Sequence, residues 1–345
     1  MRLLVGGGAG FIGSAFVRRR LAGTEDSIVV LDRLTYAGNR ENLRPIEVAP
    51  EQAARFRFVE GDIADDRLAA DLVADADAVV NFAADTHVDR SILDAAAFLH
   101  TGVIGVHVLL EAVRREAERR AVRMLQVSTD EVYGSIDEGA CREDAPLAPR
   151  SPYAAAKAAG DLLCLAYHAT HGLDLVITRG ANSYGPYQHP EKLVPLFITN
   201  ALDDQPLPLY GDGLQRRDWL YVDDHADAVG IVLDRGASGT VYNLPAGEER
   251  SNREVVAALL GRLDKPWSLV RTVEDRPGHD RRYAMDGARI ATLGWRPRVA
   301  FDDGIAATVD WYRANRAWWE RLKGDEWQAY YDRQYGRRLA ESRNA

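Results

Sequence analysis

The stretch Ser128-Thr129-Asp130-Glu131 puts two hydroxyls and two adjacent carboxylates directly after the largely apolar run Met124 to Val127. Two carboxylates crowded into a partly dry site do not both ionise easily, so one keeps its proton and the pair can act as acid and base on neighbouring atoms. Read alone, the same pair is equally a cap on a turn after a strand. A second group lies in the segment SPYAAAKAAGDLL, where Tyr153 and Lys157 are four residues apart and share one helix face. A tyrosine is a poor base at neutral pH, but a neighbouring ammonium and a positive nicotinamide both favour its phenolate, which then accepts a hydroxyl proton. A third group is GGAGFIG, in which Gly7, Gly10 and Gly13, with Phe11 and Ile12 between them, join a strand to a helix. That spacing lets backbone approach a pyrophosphate at a helix N-terminus. Asp32 ends the next strand, placed to accept both ribose hydroxyls of an adenosine and so to favour NAD over NADP, with Arg33 beside it as the one contrary signal. Asp62 and Ile63 follow the third strand and are placed to frame an adenine.

These groups need a scaffold, and the sequence indicates one. Leu3 to Val5, Ile28 to Leu31, Phe56 to Val59, Ala78 to Phe82, Met124 to Ser128 and Leu175 to Arg179 read as strands, with helical spacing over Phe11 to Leu21 and Val103 to Ala121. Such alternation predicts an α/β fold, a parallel sheet covered by helices on both faces. Beyond about Gly180 prolines, glycines and aromatics become frequent and βα units intermittent, which places a smaller domain there. The expected division is 1–181 with about 216–245 for the nucleotide, and 182–215 with 246–345 for the substrate. The net charge of −9 excludes nonspecific attraction to nucleic acid or anionic lipid. Cys141 and Cys164 have neither metal nor disulfide spacing, and the scattered histidines form no ligand pair, so no metal is expected. No signal peptide or long uninterrupted apolar run is legible, which points to a cytoplasmic protein without membrane partners.

Together these motifs resemble the extended short-chain dehydrogenase/reductase family, whose members act on nucleotide sugars. STDEVYG, the Tyr153 and Lys157 pair, YGPYQHPEKLVPLFI, GDGLQRRDWLYVDDHA, DRPGHDRRYAMD and GWRPRVAFDDGI are similar to its dTDP-glucose 4,6-dehydratase branch along nearly the whole chain. The resemblance implies a Rossmann-type doubly wound sheet with a smaller C-terminal α/β domain, bound NAD, and a nucleoside diphosphate hexose, dTDP-glucose, as substrate. It assigns Glu131 as the base at carbon 5, Asp130 as the acid at carbon 6, and Thr129 with Tyr153 and Lys157 to the carbon 4 oxygen. It adds Thr35, Ala83, Ala84, Thr101 and Ser128 to the cofactor contacts. For substrate it implies Thr86, His87, Asn182, Ser183, Glu191, Lys192, Leu193, Arg217, Asn252, Arg276 and His279. It also implies a homodimer formed through the helix that carries Tyr153 and its neighbour. Four departures stand out: Gly6 where the family has Thr, Thr86 in ADTHVDRS, Gly102 in place of Asn, and Ser183 in place of an amide that meets substrate. They bear on which nucleotide sugar is preferred. Epimerases, decarboxylases and non-catalytic NAD-binding proteins of this fold remain the alternatives, and the adjacent Asp130 and Glu131 separate a dehydratase from them.

Overall fold

The computed structural model describes residues 1–344. Its first strands are β1 (Arg2–Gly6), β2 (Ser27–Asp32), β3 (Phe56–Glu60), β4 (Ala78–Asn81), β5 (Arg123–Thr129) and β6 (Leu175–Gly180), within two residues of the expected positions. They are followed by β7 (Asn182–Tyr184), β8 (Leu207–Tyr210), β9 (Arg216–Tyr221), β10 (Thr240–Leu244), β11 (Glu249–Ser251) and β12 (Val270–Val273). Seven strands form one all-parallel sheet in the order β10-β6-β5-β4-β1-β2-β3. The chain winds outward in both directions from β1, so a crevice opens where β1 and β4 lie side by side.

Alternation along β1 explains why both faces are covered. Leu3 and Val5 join a core with Phe16, Val17 and Leu21 of helix Phe11–Gly23 and Val229 and Val232 of helix Val222–Arg235. Leu4, between them, joins the opposite core with Leu109 and Val113 of the long helix Ala96–Ala117 and Cys164 of helix Pro152–His171.

The long helix begins seven residues before the expected Val103 and contains a π-helical turn at His100–Gly105. It is long and apolar enough to cross a membrane, but half of its most apolar window is buried inside the protein, as in a core helix. Gly102 explains its close approach to helix Pro152–His171. A Cβ there would lie 3.1 Å from the Ala156 Cβ, and one on Gly160 would lie 2.9 Å from the Gly102 carbonyl.

A second core gathers Phe197, Val255, Leu259, Ile305, Tyr312 and Trp319 from the C-terminal half. Residues 216–245 divide between the two cores. Strand β9 is the middle of a small sheet, β11-β9-β7, whereas helix Val222–Arg235 and β10 belong to the large sheet. The division follows from strand periodicity, because Trp219 points into the second core and Leu220 into the first.

Candidate active site

The glycine-rich turn leaves β1 at the crevice. Gly7 has φ +73°, and a Cβ on it would lie 2.5 Å from the Ala83 nitrogen beyond β4, so only glycine fits. A Cβ on Gly13 would lie 2.3 Å from the Gly7 carbonyl, which fixes how closely the helix meets the strand. Gly10 differs: its Cβ would meet only the Gly7 carbonyl, at 3.3 Å, and the space beyond it is open. Helix Phe11–Gly23 starts there with no side-chain cap and no acid in its first turn. Its free N–H groups and dipole therefore suit an anionic pyrophosphate.

Asp32 is buried at the end of β2, and Arg33 next to it is half-buried. The Arg33 guanidinium donates to Asp62 at 2.8 Å, and to Asp85 and the Thr101 hydroxyl at 3.1 Å each. Two carboxylates thus take up the charge of Arg33, the cation next to Asp32, and leave it none to offer a 2′-phosphate. All of the residues expected at the cofactor line a single cavity at this crevice, and these groups fit NAD.

The same cavity runs on to Thr129, Asp130, Glu131, Tyr153 and Lys157. Strand β5 ends at Thr129, and a 3-10 turn, Asp130–Tyr133, follows it. The cap of that turn is Thr129, whose hydroxyl accepts from the Glu131 nitrogen at 3.3 Å. Neither acid is consumed in capping. Thr129 also donates to Asp130 Oδ1 at 3.0 Å, while Asp130 Oδ2 is buried with no hydrogen-bond partner.

Burial and the neighbouring Glu131 push the Asp130 carboxyl up to about 8, so it holds its proton at neutral pH. Burial pushes Glu131 upward too, but Arg276, Arg217 and Lys192 oppose this and favour its charged form. Burial thus raises both carboxyls; Arg217 offsets part of this at each, and Arg276 and Lys192 add to the offset at Glu131. Tyr153 is raised by burial and then by Glu131 and Asp130, so its phenol needs a nearby cation to ionise. Lys157 donates to the Val127 carbonyl at 2.5 Å, and burial lowers its ammonium to about 8.

Among the substrate candidates, Thr86, Asn182, Ser183, Glu191 and Lys192 line the cavity. His87 does not: its ring is buried against Tyr330 and its Nε2 meets the Glu191 carbonyl at 3.2 Å. Leu193 opens helix Leu193–Leu202 and packs on the second core. Arg217, Asn252, Arg276 and His279 lie outside that cavity wall, and the two arginines are felt by Glu131 through their charge. Arg217 donates to the Arg216 and Asp280 carbonyls and lies over Tyr283, Arg276 sits 3.6 Å from Asp89, and His279 Nδ1 is 2.6 Å from Asp275. Ser183, the departure from the family pattern, meets His225 Nδ1 at 2.7 Å.

His225, Gln188, His189 and Asp85 also line the cavity and were not legible as site residues. His225 reaches it because Gly180 has no side chain: a Cβ there would lie 2.3 Å from the imidazole. No local spacing signals that contact. It arises from helix Val222–Arg235, which carries His225, packing against β6.

A sequence model described as GDP-mannose 4,6 dehydratase matches residues 4–308, a span that runs from within β1 and holds the other six strands of the large sheet and every catalytic candidate. The chain belongs to this family. Among relatives, this family member is 55% identical over 332 residues to a dTDP-glucose 4,6-dehydratase of Streptomyces niveus, covering 94% of this chain and 97% of the relative. It is 52% identical over 330 residues to a dTDP-glucose 4,6-dehydratase of Streptomyces antibioticus, covering 94% and 96%. Among solved structures it is similar to DesIV, a dTDP-glucose 4,6-dehydratase from Streptomyces venezuelae with NAD and TYD bound. The TM-score is 0.90 at 54% identity, over 94% of this chain and all of that one.

Proposed function

We infer that the protein is an NAD-dependent lyase that converts dTDP-glucose to dTDP-4-keto-6-deoxyglucose and water. The observation that carries this reading is the adjacent pair in one cavity with Tyr153 and Lys157: burial and Glu131 push Asp130 up to about 8, while Arg276, Arg217 and Lys192 oppose the upward push of burial on Glu131. Bound NAD supplies temporary storage of a hydride, taken from carbon 4 and returned to carbon 6. The rest is the work of the chain. Tyr153, supported by Lys157, takes the proton of the carbon 4 hydroxyl as that carbon becomes a ketone, and Thr129 hydrogen-bonds its oxygen. The ketone makes the carbon 5 proton acidic. Glu131 removes it, Asp130 protonates the departing carbon 6 hydroxyl, and water leaves. Glu131 returns its proton to carbon 5 as the product forms. An epimerase or decarboxylase needs no acid and base on adjacent carbons, so the adjacent carboxyl pair favours elimination.

The test is to incubate the purified protein with dTDP-glucose and, separately, with UDP-glucose, following mass and the alkali-induced absorbance of a 4-keto sugar. Loss of one water with dTDP-glucose is expected. An epimer of unchanged mass would overturn the reading. Because Asp130 must be protonated to donate, the elimination rate should fall as pH rises through about 8. A stopped pH series of water loss checks this, and a rate that climbs steadily through that range would refute the acid role.

We also propose a cytoplasmic homodimer. Leu99 and Ile104 on the long helix are each 49% exposed, and Leu162 on its neighbour is 56% exposed, which leaves apolar surface on a helix pair. Leu162→Asp should halve the sedimenting mass while NAD binding persists; an unchanged mass would place the interface elsewhere.

A further inference from the structure

The helix that carries Tyr153 and Lys157 bears a third buried polar residue in the same register. Tyr153, Lys157 and Asp161 follow at four-residue spacing, so they lie one above another on one face. Asp161 is fully buried, which for a carboxylate demands a partner. That partner is Arg179 at the end of β6, 2% exposed, whose Nε donates to Asp161 Oδ2 at 2.9 Å. Arg179 Nη1 donates in turn to the Tyr133 hydroxyl at 2.8 Å, which donates to Asn243 Oδ1 at 2.8 Å. This ladder anchors one oxygen of Asp161. The other, Oδ1, is buried without a hydrogen-bond partner.

We propose that Asp161, clamped by Arg179, is a positioning residue that keeps Lys157 protonated and thereby sets the pH at which Tyr153 becomes a base. The proposal rests on the roles given above to Tyr153 and Lys157. Lys157 is a cation in a dry site with only a carbonyl as its hydrogen-bond partner, so desolvation drives its proton off. The groups around it are few. Tyr153, Asp161 and Cys164 come from its own helix, the Val127 carbonyl and Ser128 from β5, and Arg179 stands behind Asp161 on β6. Burial keeps the Cys164 thiol neutral, and Tyr153 is a phenol until it reacts. Burial pushes the Asp161 carboxyl up and Arg179 pulls it back toward its charged form, in which it is the strongest influence that opposes the loss of the Lys157 proton. Its charge also acts on Tyr153 in the opposing sense, but that is the weakest of the influences on the phenol, two helical turns away.

The test follows NAD reduction in a single turnover of the NAD-bound enzyme, by the near-ultraviolet absorbance of the reduced cofactor, across a pH series. Asp161→Asn leaves Arg179 as a second uncompensated cation, so Lys157 deprotonates earlier and Tyr153 loses support. The acidic limb of the rate profile should move up by about one pH unit, which is about tenfold slower at neutral pH. Asp161→Glu should restore the limb. The double variant Asp161→Asn with Arg179→Gln removes the orphan cation; it should fold if the single variant does not, and its limb should fall between wild type and the single variant. Folded variants whose limbs coincide with wild type would overturn the proposal. Tyr153→Phe and Lys157→Met, run beside them, separate the two failures: if these also leave NAD reduction intact, the underlying roles are wrong.

Discussion

Glu131→Gln is expected to stop the reaction after its first half. The glutamine keeps the size of the side chain and removes its basicity, so carbon 4 is still oxidised but the carbon 5 proton stays in place. The loss of water should slow by about 10²–10⁴-fold, the range for removal of a positioned general base. Reduced NAD should appear on mixing with dTDP-glucose and then persist, because the carbon that receives the hydride back is never formed. NAD affinity should be nearly unchanged, since the glycine-rich turn and Asp32 are left as they are. The check is single-turnover absorbance together with product mass and exchange of the carbon 5 proton into heavy water. Undiminished water loss would end the assignment of Glu131 as base. A variant with neither water loss nor reduced NAD would place Glu131 in the first half-reaction.

Tyr153→Phe is expected to act earlier and at least as severely. Phenylalanine keeps the ring, and with it the edge-on contact with Phe98 at 6.3 Å, but removes the group that accepts the carbon 4 proton. Oxidation should fall by about 10²–10⁴-fold, with no reduced NAD accumulating and no exchange at carbon 5. The opposite pattern, normal NAD reduction with blocked water loss, would move Tyr153 out of the first step. The two variants form an ordered pair, because Tyr153→Phe stops the oxidation on which the step removed by Glu131→Gln depends. A Glu131→Gln and Tyr153→Phe double variant should therefore resemble Tyr153→Phe alone.

The chemistry of this site was more legible than its walls. Tyr153 and Lys157 were readable because helix periodicity puts residues four apart on one face, and Asp130 and Glu131 because adjacency alone brings two carboxylates together. Asp161 obeys the same four-residue rule, yet reads as an ordinary helix carboxylate until burial and Arg179 single it out. His225 has no such signal, since its contact with Gly180 joins helix Val222–Arg235 to β6, two elements that are not adjacent in the chain and meet only in the fold. Arg33 shows the same limit: beside Asp32 in the chain it hints at a phosphate, whereas Asp62 and Asp85 take up its charge.

By itself the sequence determined the alternating strands and helices, the nucleotide turn, and the groups that carry protons, because each depends on residues a few positions apart. Folding decided the surroundings of the two carboxylates. Asp130 and Glu131 are neighbours in the chain with the same chemistry, and it is the fold that buries Asp130 Oδ2 without a partner and adds Arg276 and Lys192 to Arg217 around Glu131. Desolvation and charge act through space, so the assignment of acid and base follows from the tertiary structure.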